Sequence, residues 1–449
     1  MATPAQHRTV INKALARGRK NTQRERILAG LIAATNRDGY AHASVSAVIS
    51  EAGVSRPTFY EYFADRDEAF VAAVADARER LLAGARARVD AEPPEQALRA
   101  SLRAIVEFAS EEPALARFLM NEPMAGGALA LDARDRCLSE LARLTEKRYE
   151  GLDPATPAPD FSPLMLLGGV FRFLASRLRR GEPILPALSA ELLRWIEAYE
   201  QPLSEHRWRV LKPERPLPIS PLVPEETLRA PEKLPAGRLK MSDQEVARNQ
   251  RQRILFAAAR IAGEKGYIAT TVGDITKAAR VDGRVFYAMF ADKQEAFMAV
   301  HEFGSRRVMD VTAGAFFSGA TWPERQWEGS RAFTQFLERN PLITRVGFVE
   351  AYAVGPGAAQ RVEDSHAAFA MLLQDGYRYA AESAHPPRLV LEAIITTAFE
   401  IVYHRARAVP EKLRLSGLAP HLSFLILSPF TGPQEANAFI DRKLESAPR

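Results

Sequence analysis

Three observations predict an all-α protein. Apolar residues recur at helical spacing, as in Leu98, Leu102, Ile105, Val106 and Ala109, which form one stripe of a 3.6-residue repeat. Helix-starting Ser and helix-ending Gly residues flank such stripes. Strand-type alternation is absent, and the pairs Asp38-Gly39, Asp282-Gly283 and Asp375-Gly376 fall at helix edges instead of between strands.

The elements follow in order. Arg24–Asp38 reads as a helix with Ile27, Leu28, Leu31 and Ile32 on one face, ended by Gly39. Ser44 is a natural N-cap for a short helix, Val45–Ala52. Gly53 supplies a positive-φ turn, Val54 points inward, and Ser55 caps a third helix containing Arg56–Phe63. Two short helices joined by a tight glycine turn make a helix-turn-helix. Phe59 and Phe63, four apart, pin the third helix to the core and leave Arg56, Pro57, Thr58, Tyr60 and Tyr62 outside. Pro57 costs little there, because first-turn donors are unpaired anyway. Further on, Leu138, Leu141, Leu144 and Arg148 keep helical spacing.

The chain then repeats itself. Arg24–Val54 matches Arg251–Val281 without a gap, and Phe-Tyr, Phe-Ala-Asp and Glu-Ala-Phe follow in register, with Phe59 aligned to Phe286. After one inserted residue, Phe108–Glu122 matches Phe336–Glu350, and Phe171 and Arg177 match Phe399 and Arg405. The repeated unit is about 190 residues, a domain and not a solenoid repeat. The prolines of 206–240 rule out a continuous helix and predict an extended linker long enough for side-by-side docking. The predicted divisions are a basic arm (1–20), a first helix-turn-helix (21–70), a first helical regulatory domain (71–205), the linker (206–240), a second helix-turn-helix (241–297) and a second regulatory domain (298–449).

Composition narrows the function. Of 449 residues, 47% are hydrophobic and 26% charged, as in ordinary globular proteins. Cys137 is the only cysteine, so intrachain disulfides and cysteine-based zinc sites are excluded; it reads as a small buried apolar residue. Neither a signal peptide nor a membrane span is expected, and the cytosol is the expected compartment. Net charge is +5, yet residues 1–26 alone carry seven Lys or Arg against the single acid Glu25, an electrostatic footprint for phosphate. Phosphate-loop, dinucleotide, nucleophile-elbow and metalloprotease motifs are absent, and the eight histidines lack ligand spacing, so neither enzyme, cofactor nor metal is expected.

The stretch Gly-Tyr…Ser-Val…Ala-Gly-Val-Ser-Arg-Pro-Thr-Phe-Tyr-Glu-Tyr-Phe…Glu-Ala-Phe resembles the TetR family of bacterial transcriptional repressors over about fifty residues. The resemblance implies that the third helix enters the major groove of an operator. Ser46, Arg56, Pro57 and Thr58 would then lie nearest base edges, with Ser44, Tyr60, Tyr62 and Arg66 on phosphates and the arm around Arg19–Arg24 on the backbone or in the minor groove. The second copy departs from the pattern. Arg280 replaces the turn glycine, Asp282 replaces Ser55, Gly273 replaces Ser46, and Gly283, Arg284 and Val285 replace Arg56, Pro57 and Thr58. Tyr287 and Lys293 keep backbone-contact chemistry, Thr271 is a further DNA-binding candidate, and Arg248, Arg251 and Arg253 keep a weaker basic arm. This copy reads a different sequence, holds phosphate only, or has lost DNA contact.

The resemblance further implies that the remaining helices bind a small apolar effector and dimerise through the last two long helices. The effector candidates are Phe108, Phe118, Met120 and Met124 in one copy, and Phe333, Phe336, Phe348 and Tyr352 in the other. Arg117 and Glu122, echoed by Arg345 and Glu350, are ligand contacts or a structural ion pair. Ser162–Glu200 and Arg388–Phe430 would form an intramolecular four-helix bundle, with Gly168, Gly169, Thr396 and Thr397 allowing close approach. One chain would then be a pseudo-dimer. The alternative is a conventional homodimer in which only the first copy reads DNA and the second serves dimerisation or protein interaction.

Overall fold

Thr22 opens the first helix with a reciprocal capping box: its hydroxyl accepts from the Glu25 amide while Glu25 accepts from the Thr22 amide at 2.9 Å. The computed structural model describes residues 22–149, 162–200, 217–224, 228–231, 241–380, 386–408 and 413–446. The expected arm, 1–20, and much of the expected linker lie outside the described residues. Every regular element among the described residues is helical.

The first head consists of α1 (Gln23–Asp38), α2 (Val45–Ala52) and α3 (Arg56–Tyr62). Its body comprises α4 (Arg66–Ala91), α5 (Ala97–Glu111), α6 (Pro113–Ala125), α7 (Gly127–Tyr149), α8 (Pro163–Arg179) and α9 (Ala187–Glu200). The second head is α10 (Asp243–Lys265), α11 (Val272–Ala279) and α12 (Gly283–Tyr287). Its body begins with α13 (Lys293–Phe316), α14 (Trp322–Arg339) and α15 (Pro341–Arg345). A π-helical turn at Val346–Glu350 then leads into α16 (Ala351–Val354), α17 (Pro356–Leu373) and α18 (Gly376–Tyr379). The chain finishes with α19 (Val390–Ala408), α20 (Ala419–Thr431) and α21 (Pro433–Glu445). The last of these was not expected from the sequence.

The heads follow the capping chemistry of their sequence. Ser44 accepts from the Ala47 amide and Ser55 from the Thr58 amide, each N-cap satisfying a donor of the first helical turn. Gly53 takes the left-handed conformation at φ 61°, and Phe59 and Phe63 are buried. Val54 is only half-buried, because the turn lifts it to the rim of the core.

The two bodies meet through α8 and α19 at close range, and through α9 and α20 beside them. Gly169 makes that approach possible. A Cβ there would lie 1.9 Å from Thr397 Oγ1 and 2.9 Å from the Thr397 Cα, so the backbone itself is in the way. Tyr199, fully buried on α9, donates its hydroxyl proton to the Leu425 carbonyl of α20 at 2.7 Å. Around these contacts lies a charged seam. Arg180 reaches Glu392 at 2.7 Å, Arg179 pairs with Glu363, and Arg407 with Asp132 and Asp135. At its centre the carboxylate of Glu400, wholly buried, receives Arg172 at 2.6 Å and Arg134 at 2.8 Å. The described part of the linker lies on α14: the Ser220 amide donates to Gln335 Oε1 at 2.8 Å, and Val223 and Leu228 are buried.

Gly169→Val should therefore lower unfolding stability by about 1–3 kcal/mol through overpacking. Gly84→Ala, where a methyl group meets nothing, should raise it by about 0.5–1 kcal/mol. Urea titrations of both variants check the contrast; equal effects at the two glycines would contradict the close approach at Gly169.

Candidate nucleic-acid interface

The outer face of the first head gathers the residues that sequence reasoning placed near base edges. Arg56 extends from the first turn of α3 and donates from Nη2 to the Ser46 hydroxyl on α2 at 2.8 Å. The Ser55 and Thr58 hydroxyls lie 2.8 Å apart beside it, and Pro57 is exposed. Tyr60 and Tyr62 stand 48% and 41% exposed, large aromatic surface for a helix that ends in a buried phenylalanine. Ser44, already an N-cap acceptor, keeps its hydroxyl proton at the exposed edge of α2. Arg24 lies exposed with its guanidinium 5.7 Å from the Phe63 ring centre. Hydroxyls, a guanidinium and exposed amides at a helix start are the groups that meet phosphate oxygens and guanine edges.

Arg66 has a different job from the phosphate contact expected of it. Its Nη1 donates to the carbonyls of Tyr40 and Ala43, both at 3.0 Å, and its guanidinium covers the Tyr40 ring. Lys293 repeats this in the second head, donating to the carbonyls of Tyr267, Ile268 and Thr270. Burial holds the Lys293 ammonium below the usual lysine range. Both cations satisfy the loop between the first and second helices, where the chain has no helical partner for its carbonyls. Arg26 and Arg253, which the sequence reading counted with the basic arm, are likewise committed inward. Arg26 donates to the Ala52 carbonyl at 2.9 Å and to that of Gly53; Arg253 donates to the Arg280 carbonyl at 2.9 Å. They clamp the tight turn. The shared Arg-Ile-Leu of the two copies carries that signal in the sequence.

The second face differs in chemistry. Arg280 accepts the left-handed turn at φ 54° and ψ 48°, the one positive-φ residue other than glycine among the described residues. Thr271 caps α11, but its hydroxyl donates to Asp274 Oδ2 at 2.6 Å, so the group expected on DNA is held by a carboxylate. Lys265 on one side and Thr271 on the other hold that carboxylate below the usual range. Asp282 accepts from the Arg284 amide at 2.8 Å, and α12 is shorter than α3. Arg284 and Tyr287 face solvent, Gly283 offers no side chain, and Arg251 covers Phe290 as Arg24 covers Phe63.

Each head is tied to its body by the same bond. Glu122 Oε2 accepts from the Tyr40 amide at 3.0 Å, and Glu350 Oε2 from the Tyr267 amide at 2.9 Å. Burial pushes both carboxyls up. Of the two readings of these residues, the structure favours a framework role, with Arg345 3.6 Å from Glu350.

The effector candidates are dispersed. Phe348 lines a cavity of about 230 Å³ in the second body, together with Val308, Ile343, Phe369, Phe399 and His301. Phe333 stacks edge-on against Phe348 and Phe369 behind that wall. Phe336 is buried elsewhere in the core, and Tyr352 lies against Arg172 and Arg179 where the bodies meet. Phe118 packs on Phe70 in the head-proximal core, Phe108 and Met120 are buried core residues, and Met124 clusters with Leu131 and Val349. Helical spacing marks a buried face and does not say which buried residues leave space between them. Cys137 is fully buried, its thiol pushed up to about 12. Among the described residues no group of acidic, His or Cys side chains is arranged to hold a metal, and no helix is long and apolar enough to cross a membrane.

Two helix-turn-helix heads on fused helical bodies define a tandem DNA-binding protein. Residues 27–73, and again 254–300, match the family described as bacterial regulatory proteins, tetR family. The two matched segments take in the two heads, so each head is similar to the helix-turn-helix domain of the tetR family, the pattern of a tandem DNA-binding regulator. Parts of the chain are similar to solved structures, among them the following. The fatty acid degradation regulator FadR from Bacillus halodurans shares 20% identity, with 39% of this chain and 96% of that one covered and a TM-score of 0.35. A tetR-family regulatory protein from Rhodococcus RHA1 shares 18%, covering 44% and 96% at a TM-score of 0.32. A TetR-family regulator from Marinobacter aquaeolei VT8 shares 19%, covering 46% and 97% at 0.31. No curated protein matches the chain.

Arg280→Gly should raise stability by about 1 kcal/mol, since a left-handed residue with a Cβ is strained and the Arg253 clamp binds only the backbone. A chemical-denaturation midpoint that falls instead would show that the Arg280 side chain holds the turn. A second expectation concerns pH. Burial, aided by Arg361, lowers His301 from 6.5 to about 4. The folded protein thus resists protonation that the unfolded chain accepts. His301 contributes stability fully above pH 6.5, and loses it as pH falls toward 4, at up to about 1.4 kcal/mol per pH unit. Urea melts of wild type and His301→Gln between pH 7.5 and 4.5 should show the shallower acid slope in the variant.

Proposed function

We propose that the chain is a sequence-specific repressor in which two unlike reading heads act as an intramolecular pseudo-dimer on an asymmetric operator. The observation that carries this reading is the joint between the bodies, α8 against α19 and α9 against α20, made by two halves of one chain. A homodimeric regulator needs two chains to present two reading helices on successive turns of DNA; here one chain holds both. Because Ser55-Arg56-Pro57-Thr58 and Asp282-Gly283-Arg284-Val285 differ in charge, size and donors, the two half-sites differ. The expected setting is the bacterial cytoplasm, on the nucleoid when operator-bound.

Control is assigned to the cavity of the second body, which suits a small apolar effector. Phe348 in its wall and Glu350, which holds the Tyr267 amide of the head, belong to the same π-helical turn. An occupant that displaces Phe348 strains this turn and moves the second head, so it binds the DNA-free state more tightly.

Arg56→Ala should cost about 1–3 kcal/mol on the cognate site and relax specificity at one base position. Arg24→Ala should weaken all sequences alike and flatten the salt dependence. Operator selection and binding isotherms at several salt concentrations test both, with light scattering for mass. A two-chain species on a palindrome would favour the conventional homodimer in which the second head does not read DNA, a reading to which the Asp274 and Asp282 carboxylates on that face lend support. Small apolar compounds that stabilise the protein without releasing DNA would count against effector control.

A further inference from the structure

Arg172 and Glu400 occupy the same position in the two copies, since Phe171 aligns with Phe399. They also face one another, Arg172 Nε lying 2.6 Å from Glu400 Oε2, with both side chains buried. A position that meets its own counterpart lies on the local two-fold relation between the units. Gly169 and Thr397 are likewise counterparts, and likewise touch. Arg134, the second cation on Glu400, has Val362 as its counterpart in the same register.

From these three positions we infer a pairing code: the first unit accepts the second unit and rejects a copy of itself. The inference rests on the pseudo-dimer reading and says what enforces it. Two first units placed in this geometry would bury four guanidinium groups, from two copies of Arg134 and of Arg172, with no carboxylate among them at the position of Glu400. Two second units would bury Glu400 against Glu400, with Val362 where a cation is needed and only His404, 3.2 Å from its own Glu400, beside each carboxylate. Asp135 beside each Arg134 and His404 beside each Glu400 compensate only part of this, and buried charges of like sign with too few counter-ions are strongly disfavoured. Size acts in the same direction. Thr397 fits only because Gly169 has no side chain, so Thr397 against Thr397 does not close, while Gly169 against Gly169 leaves a gap. The partner that fits each unit is therefore the unlike unit of this chain.

The test keeps the full chain through purification and then removes the tether. A protease site is inserted within 206–216 and cut after folding, and the halves are allowed to exchange before native mass spectrometry. Intact wild type is weighed first, because a two-chain mass there sinks the pseudo-dimer reading itself, separately from the code. Nicked wild type should contain unlike pairs only. In Arg134→Leu/Arg172→Leu/Glu400→Leu/Thr397→Gly, apolar replacement of the buried ions and loss of the Thr397 side chain keep the fold and remove both the charge and the size selection. Like pairs should then rise toward the statistical level, about half of all pairs. If this variant loses its helical circular dichroism, Arg134→Gln/Arg172→Gln/Glu400→Gln/Thr397→Gly is read by the same criterion. Like pairs or separated units in nicked wild type overturn the code. So does a neutral variant that still forms unlike pairs alone after complete exchange.

Discussion

One carboxylate, that of Glu400, holds the place on which the arrangement of this molecule depends. It has no exposure to water, and the guanidinium groups of Arg134 and Arg172 from the other half of the chain hold it well below the ordinary carboxylate range against the opposing effect of burial. Removing one member of such a group leaves the others buried without compensation, a loss of about 3–5 kcal/mol. Around it, Gly169 brings α8 and α19 within backbone contact, and the seam of Arg179, Arg180 and Arg407 with Glu363, Glu392, Asp132 and Asp135 extends the attraction outward. The heads are fastened to this centre at one remove, through Glu122 and Glu350.

The heads divide their cations between two tasks. Arg26, Arg66, Arg253 and Lys293 satisfy carbonyls in the loops and turns. Arg24, Arg56, Arg251 and Arg284 remain outside. A backbone locked by inward cations needs no reordering when the outward ones meet a charged polymer, which lowers the entropic cost of binding. On the second face Asp274 and Asp282 lower the positive potential.

Local chemistry was legible in the sequence, and long-range placement was less so. Ser44, Gly53, Ser55, Phe59 and Phe63 act through neighbours within a few residues, so their spacing sufficed to read both the helix-turn-helix and its caps. The left-handed Arg280 was foreseeable because its counterpart is Gly53. By contrast, Arg66 and Lys293 look on paper like any exposed cation beside an aspartate; only the folded loop shows the carbonyls that claim them. The cavity was legible only in part, through Phe348, for a related reason. His301, Phe369 and Phe399 come from three helices distant in sequence, and empty space between them has no sequence signature.

Sequence distance at the central ion group also sets an order of events during synthesis. Arg172 leaves the ribosome long before Glu400, and at about 5–20 residues per second the wait is roughly 10–45 s. Throughout that interval α8 carries a cationic side chain on an apolar face whose cover has not yet been made. Nascent chains on one messenger hold many such faces close together. Burying Arg172 against any surface that lacks a carboxylate is costly, so until Glu400 emerges from the same chain that face of α8 has no matched cover.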